Sequence, residues 1–522
     1  MSAQDTMHPV VEATPIDKPY VPPLPKADSC LLVIFGASGD LTKRKLIPAL
    51  YDLACAGCMH SKFQVLGVAR TPMTSEEFRA AMRESAEKSH DAREFTNVCW
   101  ESFSENLHYL TGNINDHAFY PEIAKEIEKM QANGASTNLL FYVSTPASLA
   151  PPIVEGLGKA GLNRNDKGWT RIVLEKPFGR DLKSAHDLNE IVSKVFDEPS
   201  VYRIDHYLGK ETVQNILVFR FGNSMFEPVW NRNYISYVEI TASESLGVES
   251  RAGFYEETGA LRDMVANHLL QLVTLTAMEP PVAFDAESVR EEKVQVLRAI
   301  RPMTVEEVAK RTVRGQYGPG KINGVDVQGY RQEPGVNPKS NTETFAAVEF
   351  YIDNWRWAGV PFFVRTGKRL PRQRTEVRVH FRRTPQALFS RTADEDVEPN
   401  VITLRIQPNE GISMRFGAKR PGPQMRTSSV KMDFDYSSAF GTDAPVAYET
   451  LLLDAMRGDA TLFTRRDEVE AEWKIITPIE EAWAQIPPPA FPNYAAGSDG
   501  PDAANDLISG DHRHWHPFQS GR

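Results

Sequence analysis

The residues best suited to chemistry lie in one nine-residue segment. Arg203–Glu211 reads Arg-Ile-Asp-His-Tyr-Leu-Gly-Lys-Glu and leads into a predicted helix that runs toward Phe219. His206, Tyr207 and Lys210 supply hydrogen-bond donors beside the start of that helix, an arrangement that binds a phosphate monoester. A structural turn with solvated charges is the alternative.

A second candidate is a histidine in a segment with helical periodicity. His268 shares a helical stripe with Leu261, Val265 and Leu272, so it faces the interior. A buried histidine is most often a core residue, although an imidazole is also a common general base. Asp263 lies about 140° around an ideal α-helix from His268, so the spacing leaves open whether both face one cleft.

A glycine-containing turn after the first buried strand is typical of a dinucleotide phosphate site. The strand is predicted at Leu31–Phe35, and a helix follows the turn. Backbone N–H groups and a helix start hold a pyrophosphate in such a turn. A purely structural turn is the alternative, because the GxGxxG spacing is incomplete. The candidate cofactor residues are Gly36, Ala37, Ser38, Gly39, Asp40, Leu41, Thr42 and Lys43.

The end of the second predicted strand indicates which dinucleotide binds. An NAD enzyme places Asp or Glu there to hydrogen-bond the adenosine ribose, whereas this chain has Arg70. An arginine at this place, with Lys43 nearby, favours the 2′-phosphate of NADP. The alternative is a solvated charge at the end of a strand.

Lys176 ends another buried strand, within Glu175-Lys-Pro-Phe-Gly-Arg180. The carboxyl ends of parallel strands line the ligand crevice of an open sheet. Lys176 is therefore placed to contact both cofactor and substrate. A surface turn residue before Pro177 is the alternative.

Composition excludes several classes of protein. The chain has 522 residues, of which 41% are hydrophobic and 25% charged, as in ordinary globular proteins. Its net charge of −10 gives no positive field for nucleic acid or an anionic membrane, so we expect neither as a partner. The four cysteines are too few for a disulfide framework and predict reduced thiols in a cytoplasm.

Two further patterns give no support for a metal site. Cys55 and Cys58 form a CxxC pair without a second pair or a histidine companion. His512, His514 and His516 alternate in a polar tail without partner acids. We therefore predict no metal.

The order of elements predicts two folded domains. Strands alternate with helices as far as about residue 200, which predicts an α/β Rossmann-type doubly wound parallel sheet. Beyond Tyr234 apolar residues alternate, as in strands of a mainly antiparallel sheet, and helices are predicted at Gly259–Glu279 and Glu287–Ile300. The stretch Gly315–Asn341 is predicted to be a long loop.

The predicted organisation has four parts. They are a disordered leader at 1–29, an NADP-binding domain at 30–205, a larger α+β domain at 206–490, and a weakly structured tail at 491–522.

Four motifs together resemble one family. The sequences GASGDL, EKPFG, RIDHYLGKE and Asp-x-x-x-Asn-His-Leu-Leu-Gln occur in the order found in glucose-6-phosphate dehydrogenases, and the resemblance covers about residues 30 to 487. It implies oxidation of glucose 6-phosphate to 6-phosphogluconolactone with NADP, the first step of the oxidative pentose phosphate pathway. It also implies that the domain at 206–490 is the substrate and dimerisation domain, so we expect a homodimer or homotetramer, in the cytoplasm that the cysteines indicate.

The resemblance also assigns roles to individual residues. It implies that His268 is the general base, that Asp205 orients it, and that Lys176 lies between sugar and nicotinamide. The other implied substrate contacts are His206, Tyr207 and Lys210 at the phosphate and Glu244, Asp263 and Lys368 at the sugar hydroxyls.

This chain departs from the family pattern at two positions. A basic residue usually found five positions after Lys368 is Gln373 here, between Arg372 and Arg374, either of which can take over its substrate contact. Ser413 replaces a tyrosine that helps bind a second, structural NADP in animal members. We therefore do not expect that second cofactor site.

Two other functions remain as alternatives. One is a different Rossmann-fold sugar dehydrogenase with an EKP lysine, although such chains are usually shorter and lack RIDHYLGKE. The other is a catalytically silent dinucleotide-binding protein. The intact Asp205, His206, Lys210 and His268 argue against a silent protein.

Overall fold

The described part of the chain forms two large sheets and two small, two-stranded ones, with helices packed around them. The computed structural model describes residues 11–12, 25–89, 95–384, 398–440, 446–510 and 513–518. The strands of the amino-terminal part are β1 (Val11–Glu12), β2 (Leu31–Phe35), β3 (Gln64–Ala69), β4 (Leu107–Thr111), β5 (Leu139–Val143), β6 (Thr170–Glu175) and β7 (Val201–Ile204). Its helices are α1 (Ile47–Cys55), α2 (Ser75–Glu87), α3 (Asn97–Ser104), α4 (Tyr120–Ala132), α5 (Ala150–Lys159), α6 (Leu182–Ser193) and α7 (Glu211–Phe221).

The carboxyl-terminal part is richer in strands. These are β8 (Ile235–Ser243), β9 (Thr312–Gly315), β10 (Tyr317–Gly318), β11 (Gly320–Ile322), β12 (Val325–Val327), β13 (Phe345–Tyr351), β14 (Pro361–Gly367), β15 (Arg374–Phe381), β16 (Val401–Gln407), β17 (Gly411–Lys419), β18 (Thr427–Asp435), β19 (Phe463–Thr464) and β20 (Tyr494–Ala495). The helices are α8 (Ala252–Ala260), α9 (Leu270–Ala277), α10 (Ala286–Ala299), α11 (Val305–Arg311), α12 (Tyr436–Phe440), α13 (Ala447–Arg457), α14 (Arg466–Gln485) and α15 (Asp502–Ile508).

The first sheet is the predicted doubly wound sheet. Its order is β19-β7-β6-β5-β2-β3-β4, and every pair is parallel except β19 with β7. The strand order reverses between β2 and β5, which opens a crevice at the carboxyl ends of these strands. The buried runs Leu31–Phe35 and Leu139–Val143 form these two strands, the first of them at the predicted residues.

The second sheet is the predicted, mainly antiparallel sheet. Its order is β1-β18-β17-β16-β15-β8-β14-β13-β9, with parallel pairs only at β1/β18 and β8/β14. One hydrophobic cluster runs from the parallel sheet through α9, α10 and α14 to this sheet. The two sheets are therefore held by a shared core, and α14 lies within it.

The helix predicted at Gly259–Glu279 has an unexpected geometry. Leu261–Leu269 is π-helical, and α9 continues it. Hydrogen bonds in a π-helix join residues five apart, so Asp263 and His268 lie on nearly the same face. Gly259, just before it, has φ of 62° and ψ of −176°, a conformation adopted almost only by glycine.

Both chain ends differ from the prediction. Within the leader, Val11–Glu12 pairs with β18 and Ala27 is buried, so the prediction of disorder is wrong there; residues 1–10 and 13–24 lie outside the described residues. In the tail, β20 pairs with β10, and α15 and Trp515 pack into a core cluster. The prediction of a weakly structured tail is therefore wrong for its described part.

Two further predictions need correction. The stretch predicted as a long loop contains the short strands β10, β11 and β12. Cys55 and Cys99 form a disulfide that joins the end of α1 to α3, so the prediction that all cysteines are reduced is wrong for this pair. Cys30 and Cys58 are buried and lie outside this disulfide.

If the tail packs into the core as described, removing its central side chain should lower the stability of the fold. Trp515 is 5% exposed, and its indole lies over the Arg365 guanidinium and donates to the Ala504 carbonyl oxygen. We expect Trp515→Ala to destabilise the fold by about 3–5 kcal/mol, seen as a lower Tm by differential scanning fluorimetry. The control is exposed His514→Ala, for which Tm should hardly change. Equal, small changes in both variants would contradict docking of the tail.

Candidate active site

The centre of the site is a hydrogen bond between two buried side chains. Asp205 follows β7 at the carboxyl edge of the parallel sheet, and His268 lies in the π-helical segment. His268 Nδ1 is 2.5 Å from Asp205 Oδ1, and the two residues are only 1% and 2% exposed. The carboxylate accepts a hydrogen bond from the Nδ1–H group, which leaves His268 Nε2 as a proton acceptor.

The neighbours of the imidazole come from the nine-residue segment singled out in the sequence. The Tyr207 ring stacks on His268 with centroids 4.2 Å apart, and the His206 ring meets it edge-on at 4.5 Å. The Tyr207 amide donates to Asp205 Oδ1 at 2.9 Å. This turn therefore fixes the carboxylate and the imidazole together, and the structural-turn and functional interpretations of the segment are compatible.

Lys176 connects the histidine with the aspartate on the same π-helical face. Its Nζ lies 2.8 Å from His268 Nε2, 3.0 Å from the Asp263 carbonyl oxygen and 3.2 Å from Asp263 Oδ1. Lys176, Asp263 and His268 thus meet at the carboxyl ends of β6 and β7. The question that helical spacing left open is answered by the π-helix.

Burial and charge act in opposition on these groups. Burial raises the pKa of Asp205, but the charge and hydrogen bond of His268 outweigh it and hold that pKa below its ordinary value. Burial also raises the pKa of Asp263, yet Lys176 and Lys368 bring it down to about 2. Burial and the charge of Lys176 together lower the pKa of His268 more than Asp205 raises it. The imidazole is therefore neutral at neutral pH and able to accept a proton.

A second pair of charges lies at the ends of two neighbouring strands. Glu244 follows β8 and Lys368 follows β14, which are parallel neighbours, and their side chains form an ion pair. Lys368 Nζ also lies 5.0 Å from the centre of the Tyr255 ring. Lys368 acts electrostatically on Asp263, so this pair belongs to the same crevice.

Lys210 lies at the start of α7, where it is the N-cap residue. Its Nζ donates to Gln407 Oε1 at 2.5 Å and lies 5.4 Å from the Tyr207 ring centre. A helix amino terminus with a lysine ammonium beside it attracts anions. The predicted phosphate contacts His206, Tyr207 and Lys210 are thus neighbours in space.

Gln373 and its flanking arginines lie just before and within β15. Gln373 and Arg372 are exposed, whereas Arg374 Nη1 is 2.8 Å from His516 Nδ1 in the docked tail. Side chains alternate along a strand, and Thr375 faces Tyr207, so Arg374 points to the opposite side. The expectation that Arg374 can take over the substrate contact is therefore wrong.

The glycine turn lies at the crevice between β2 and β5. Gly36 has φ of 85°, and a Cβ there would lie 2.3 Å from the Ser144 carbonyl oxygen, so only glycine fits. Thr42 Oγ1 lies 3.2 Å from Ser144 Oγ, which ties the turn to the end of β5. This turn and the helix start after it contain Gly36, Ala37, Ser38, Gly39, Asp40, Leu41, Thr42 and Lys43.

The candidate for cofactor specificity lies beside that turn. Arg70 is exposed at the end of β3, and the next residue, Thr71, has its Oγ1 3.1 Å from Ser38 Oγ. Arg70 is therefore adjacent to the turn and open to a ligand. The location is the switch point of a doubly wound sheet, where dinucleotides bind.

Sequence reasoning missed several partners of the site residues. Glu175 Oε1 accepts hydrogen bonds from Tyr142 at 2.6 Å and Tyr448 at 3.1 Å, and burial raises the pKa of Glu175 to about 7. Thr375 and Gln407, the partners of Tyr207 and Lys210, were also missed. Each lies more than a hundred residues from its partner, and no local pattern identifies such contacts.

Asp205, His206 and His268 are close enough to be considered as metal ligands. Their ligand atoms lie within 4.8 Å of one another. However, Asp205 is bonded to His268 Nδ1, and the Lys176 ammonium is hydrogen-bonded at Nε2. The Lys176 ammonium at Nε2 would repel a metal ion there. The arrangement therefore favours proton transfer by His268 over metal binding.

Two family models together match almost the entire described chain. A model of the "Glucose-6-phosphate dehydrogenase, NAD binding domain" matches residues 33–215, and one of the "Glucose-6-phosphate dehydrogenase, C-terminal domain" matches residues 217–516. The second match includes the tail residues that the sequence analysis left outside the resemblance.

Individual proteins and structures give the same result. The chain is 50% identical to a glucose-6-phosphate 1-dehydrogenase of Aggregatibacter actinomycetemcomitans over 94% of its own length and 98% of the relative's. It is 42% identical to the Bacillus subtilis enzyme of that name, with the same coverage. A solved glucose-6-phosphate dehydrogenase in complex with its substrate glucose 6-phosphate superposes with a TM-score of 0.85 at 35% identity, over 94% of this chain and 99% of that one.

Proposed function

The chain belongs to the glucose-6-phosphate dehydrogenase family, and we propose that it oxidises D-glucose 6-phosphate to 6-phospho-D-glucono-1,5-lactone with NADP⁺ as hydride acceptor. The observation that carries the proposal is the buried His268–Asp205 pair at the carboxyl edge of a dinucleotide-binding sheet. A base in this position can remove a hydroxyl proton next to the nicotinamide.

The proton transfer follows from the geometry of the pair. His268 Nε2 accepts the proton of the anomeric hydroxyl as hydride leaves the same carbon. Asp205 fixes the tautomer and stabilises the imidazolium that forms. Lys176, beside Nε2, keeps the resting imidazole neutral and stabilises negative charge on the reacting oxygen. The nicotinamide ring supplies hydride acceptance when the cofactor is bound.

Two groups of residues bind the rest of the substrate. His206, Tyr207 and Lys210, with the start of α7, bind the phosphate. Asp263 and the Glu244–Lys368 pair hold sugar hydroxyls. Gln373, which lies just before β15, contacts the sugar phosphate near Thr375, the partner of Tyr207.

The family establishes a dinucleotide cofactor, and the strand-end arginine supports NADP. The glycine turn, residues 36–43, holds the pyrophosphate, and Arg70 binds the 2′-phosphate. No acidic residue stands at the end of β3 to favour NAD.

We also propose that the protein acts on a small molecule and assembles as a homodimer or homotetramer. It works in the cytoplasm and has neither nucleic acid nor a membrane as a partner. The family resemblance supports the assembly. Each helix in the described part of the chain is too short or too polar to cross a bilayer.

The alternative functions have less support than the dehydrogenase. A silent dinucleotide-binding protein needs neither the buried His268–Asp205 pair nor Lys176 beside it. Absorbance assays of NADP reduction with glucose 6-phosphate, with free glucose, and with NAD as acceptor separate these functions. No reduction with glucose 6-phosphate would refute the proposed function.

The phosphate site leads to a prediction for Lys210. Lys210→Ala removes a charge-assisted contact that contributes about 1.5–3 kcal/mol, so substrate capture should weaken roughly tenfold to more than a hundredfold. The kcat/KM for free glucose should change much less, because glucose has no phosphate. The surface lysine variant Lys183→Ala is the control. Equal losses with both sugars would contradict the phosphate role.

The cofactor site leads to a prediction for Arg70. Arg70→Ala should raise KM for NADP by roughly tenfold or more, because it removes a charged partner of the 2′-phosphate. KM for NAD, measured in parallel, should stay nearly unchanged. An equal effect on both cofactors would mark Arg70 as structural.

A further inference from the structure

A buried network of four polar side chains lies behind the catalytic pair. Its members come from three helices: Gln271 on α9, Lys293 on α10, and Glu468 and Glu472 on α14. None is more than 3% exposed. None is among the residues to which a substrate or cofactor contact is assigned above, so the proposed chemistry does not use them directly.

Gln271 joins this network to the histidine. It lies three residues after His268, where the π-helical segment continues into α9. Its Nε2 donates to Glu468 Oε1 at 2.8 Å and to Glu472 Oε1 at 2.6 Å. Lys293 Nζ lies 2.7 Å from Glu468 Oε1. One amide therefore links the helix that carries His268 to two successive turns of α14.

The charges of the network balance only if one carboxyl is neutral. A single lysine compensates one buried carboxylate, and an unpaired second charge would be strongly unfavourable. Glu472 is the neutral group, because burial, Glu468 and Asp205 all raise its pKa well above the ordinary value. The groups that act on Glu472 are thus Glu468 on its own helix, Gln271 and Lys293 on the packed helices, and Asp205 after β7.

A contribution to the stability of the fold does not by itself explain this buried network. Replacing buried polar or charged groups with apolar side chains of similar volume is often neutral or stabilising. A bridging amide, however, has directional bonds that apolar packing lacks, and it fixes the rotation of one helix against another. The network is therefore suited to fixing the position of the helix that carries His268 against α14.

The same helix also holds the other segments of the site. The Trp473 indole donates to the Phe178 carbonyl oxygen at 2.9 Å, in the turn after Lys176. Glu480 forms an ion pair with Arg262 at 2.6 Å, next to Asp263. Helix α14 is therefore a common support for the segments that carry Lys176, Asp263 and His268.

We propose that Gln271 is a positioning residue for the reaction: its two hydrogen bonds to α14 hold the His268 imidazole in register with Asp205 and Lys176. The inference deepens the proposed function and rests on it. A displacement of a catalytic group by about 1 Å can lower the rate about a hundredfold, so loss of this bridge should act on turnover.

The test replaces Gln271 and compares it with a matched buried glutamine. Gln271→Leu should lower kcat about 10- to 100-fold, with KM for glucose 6-phosphate and NADP changed less than about threefold. The acidic limb of kcat against pH should move to lower pH, because a weaker contact with Asp205 stabilises the imidazolium less.

Gln316→Leu is the matched control. Gln316 is also fully buried, and its Nε2 donates to the carbonyl oxygens of Ser340 and Thr342. This variant makes the same chemical change and should lower Tm by a similar amount, with kcat and the acidic limb unchanged.

The outcomes separate positioning from stability. If Gln271→Leu does not fold, Gln271→Asn keeps the amide on a shorter stem and should show a smaller fall in kcat with the same shift of the acidic limb. Variants that lower Tm but retain wild-type kcat and acidic limb would overturn the proposal.

A substrate-free readout distinguishes failure of this inference from failure of the proposed function. The pKa of His268, followed by NMR of ¹³C-labelled histidine, should fall in the Gln271 variant and stay constant in Gln316→Leu. An unchanged His268 pKa would overturn the positioning role. An inactive wild-type enzyme would instead refute the proposed function.

Discussion

The hydrogen bond between Asp205 and His268 is the constraint on which the architecture depends. It joins the last parallel strand of the dinucleotide domain to a helix of the second domain, across 63 residues of sequence. A buried carboxylate must be paired, and it fixes the imidazole beside it. The Tyr207 amide and ring and the Lys176 ammonium are arranged around this bond. The shared core that holds the two sheets keeps both partners in place.

The π-helix converts this pair into a complete site. Asp263 and His268 would diverge on an α-helix, whereas the wider turn brings both to Lys176. The positive φ of Gly259 allows the chain to enter that turn. Lys176 in turn lies at the end of a parallel strand, where the cofactor crevice opens. The substrate site, the base and the cofactor site therefore lie together because the π-helical segment faces the carboxyl edge of the parallel sheet.

Sequence patterns predicted the regular parts and failed where contacts are distant. The buried strands around Gly36 and the two sheet types followed from hydrophobic periodicity, and the family resemblance identified His268 and Asp205. Helical spacing could not place Asp263 beside His268, because it assumes an α-helical turn. The polar composition of the tail gave no sign of the anchor Trp515, whose ring packs against Arg365 and Phe363, more than a hundred residues away. The direction of Arg374 likewise depended on a strand register that only the fold supplies.

The most direct test of the central claim is kcat of His268→Asn between pH 5 and 9. Asparagine keeps a similar size and polarity but cannot act as a base. We predict a fall of roughly 10²- to 10⁴-fold, loss of the acidic limb that the wild-type imidazole gives below its ordinary pKa of about 6.5, and unchanged cofactor affinity. Near wild-type turnover across this range would contradict the role of His268 as the base and leave it a purely structural residue.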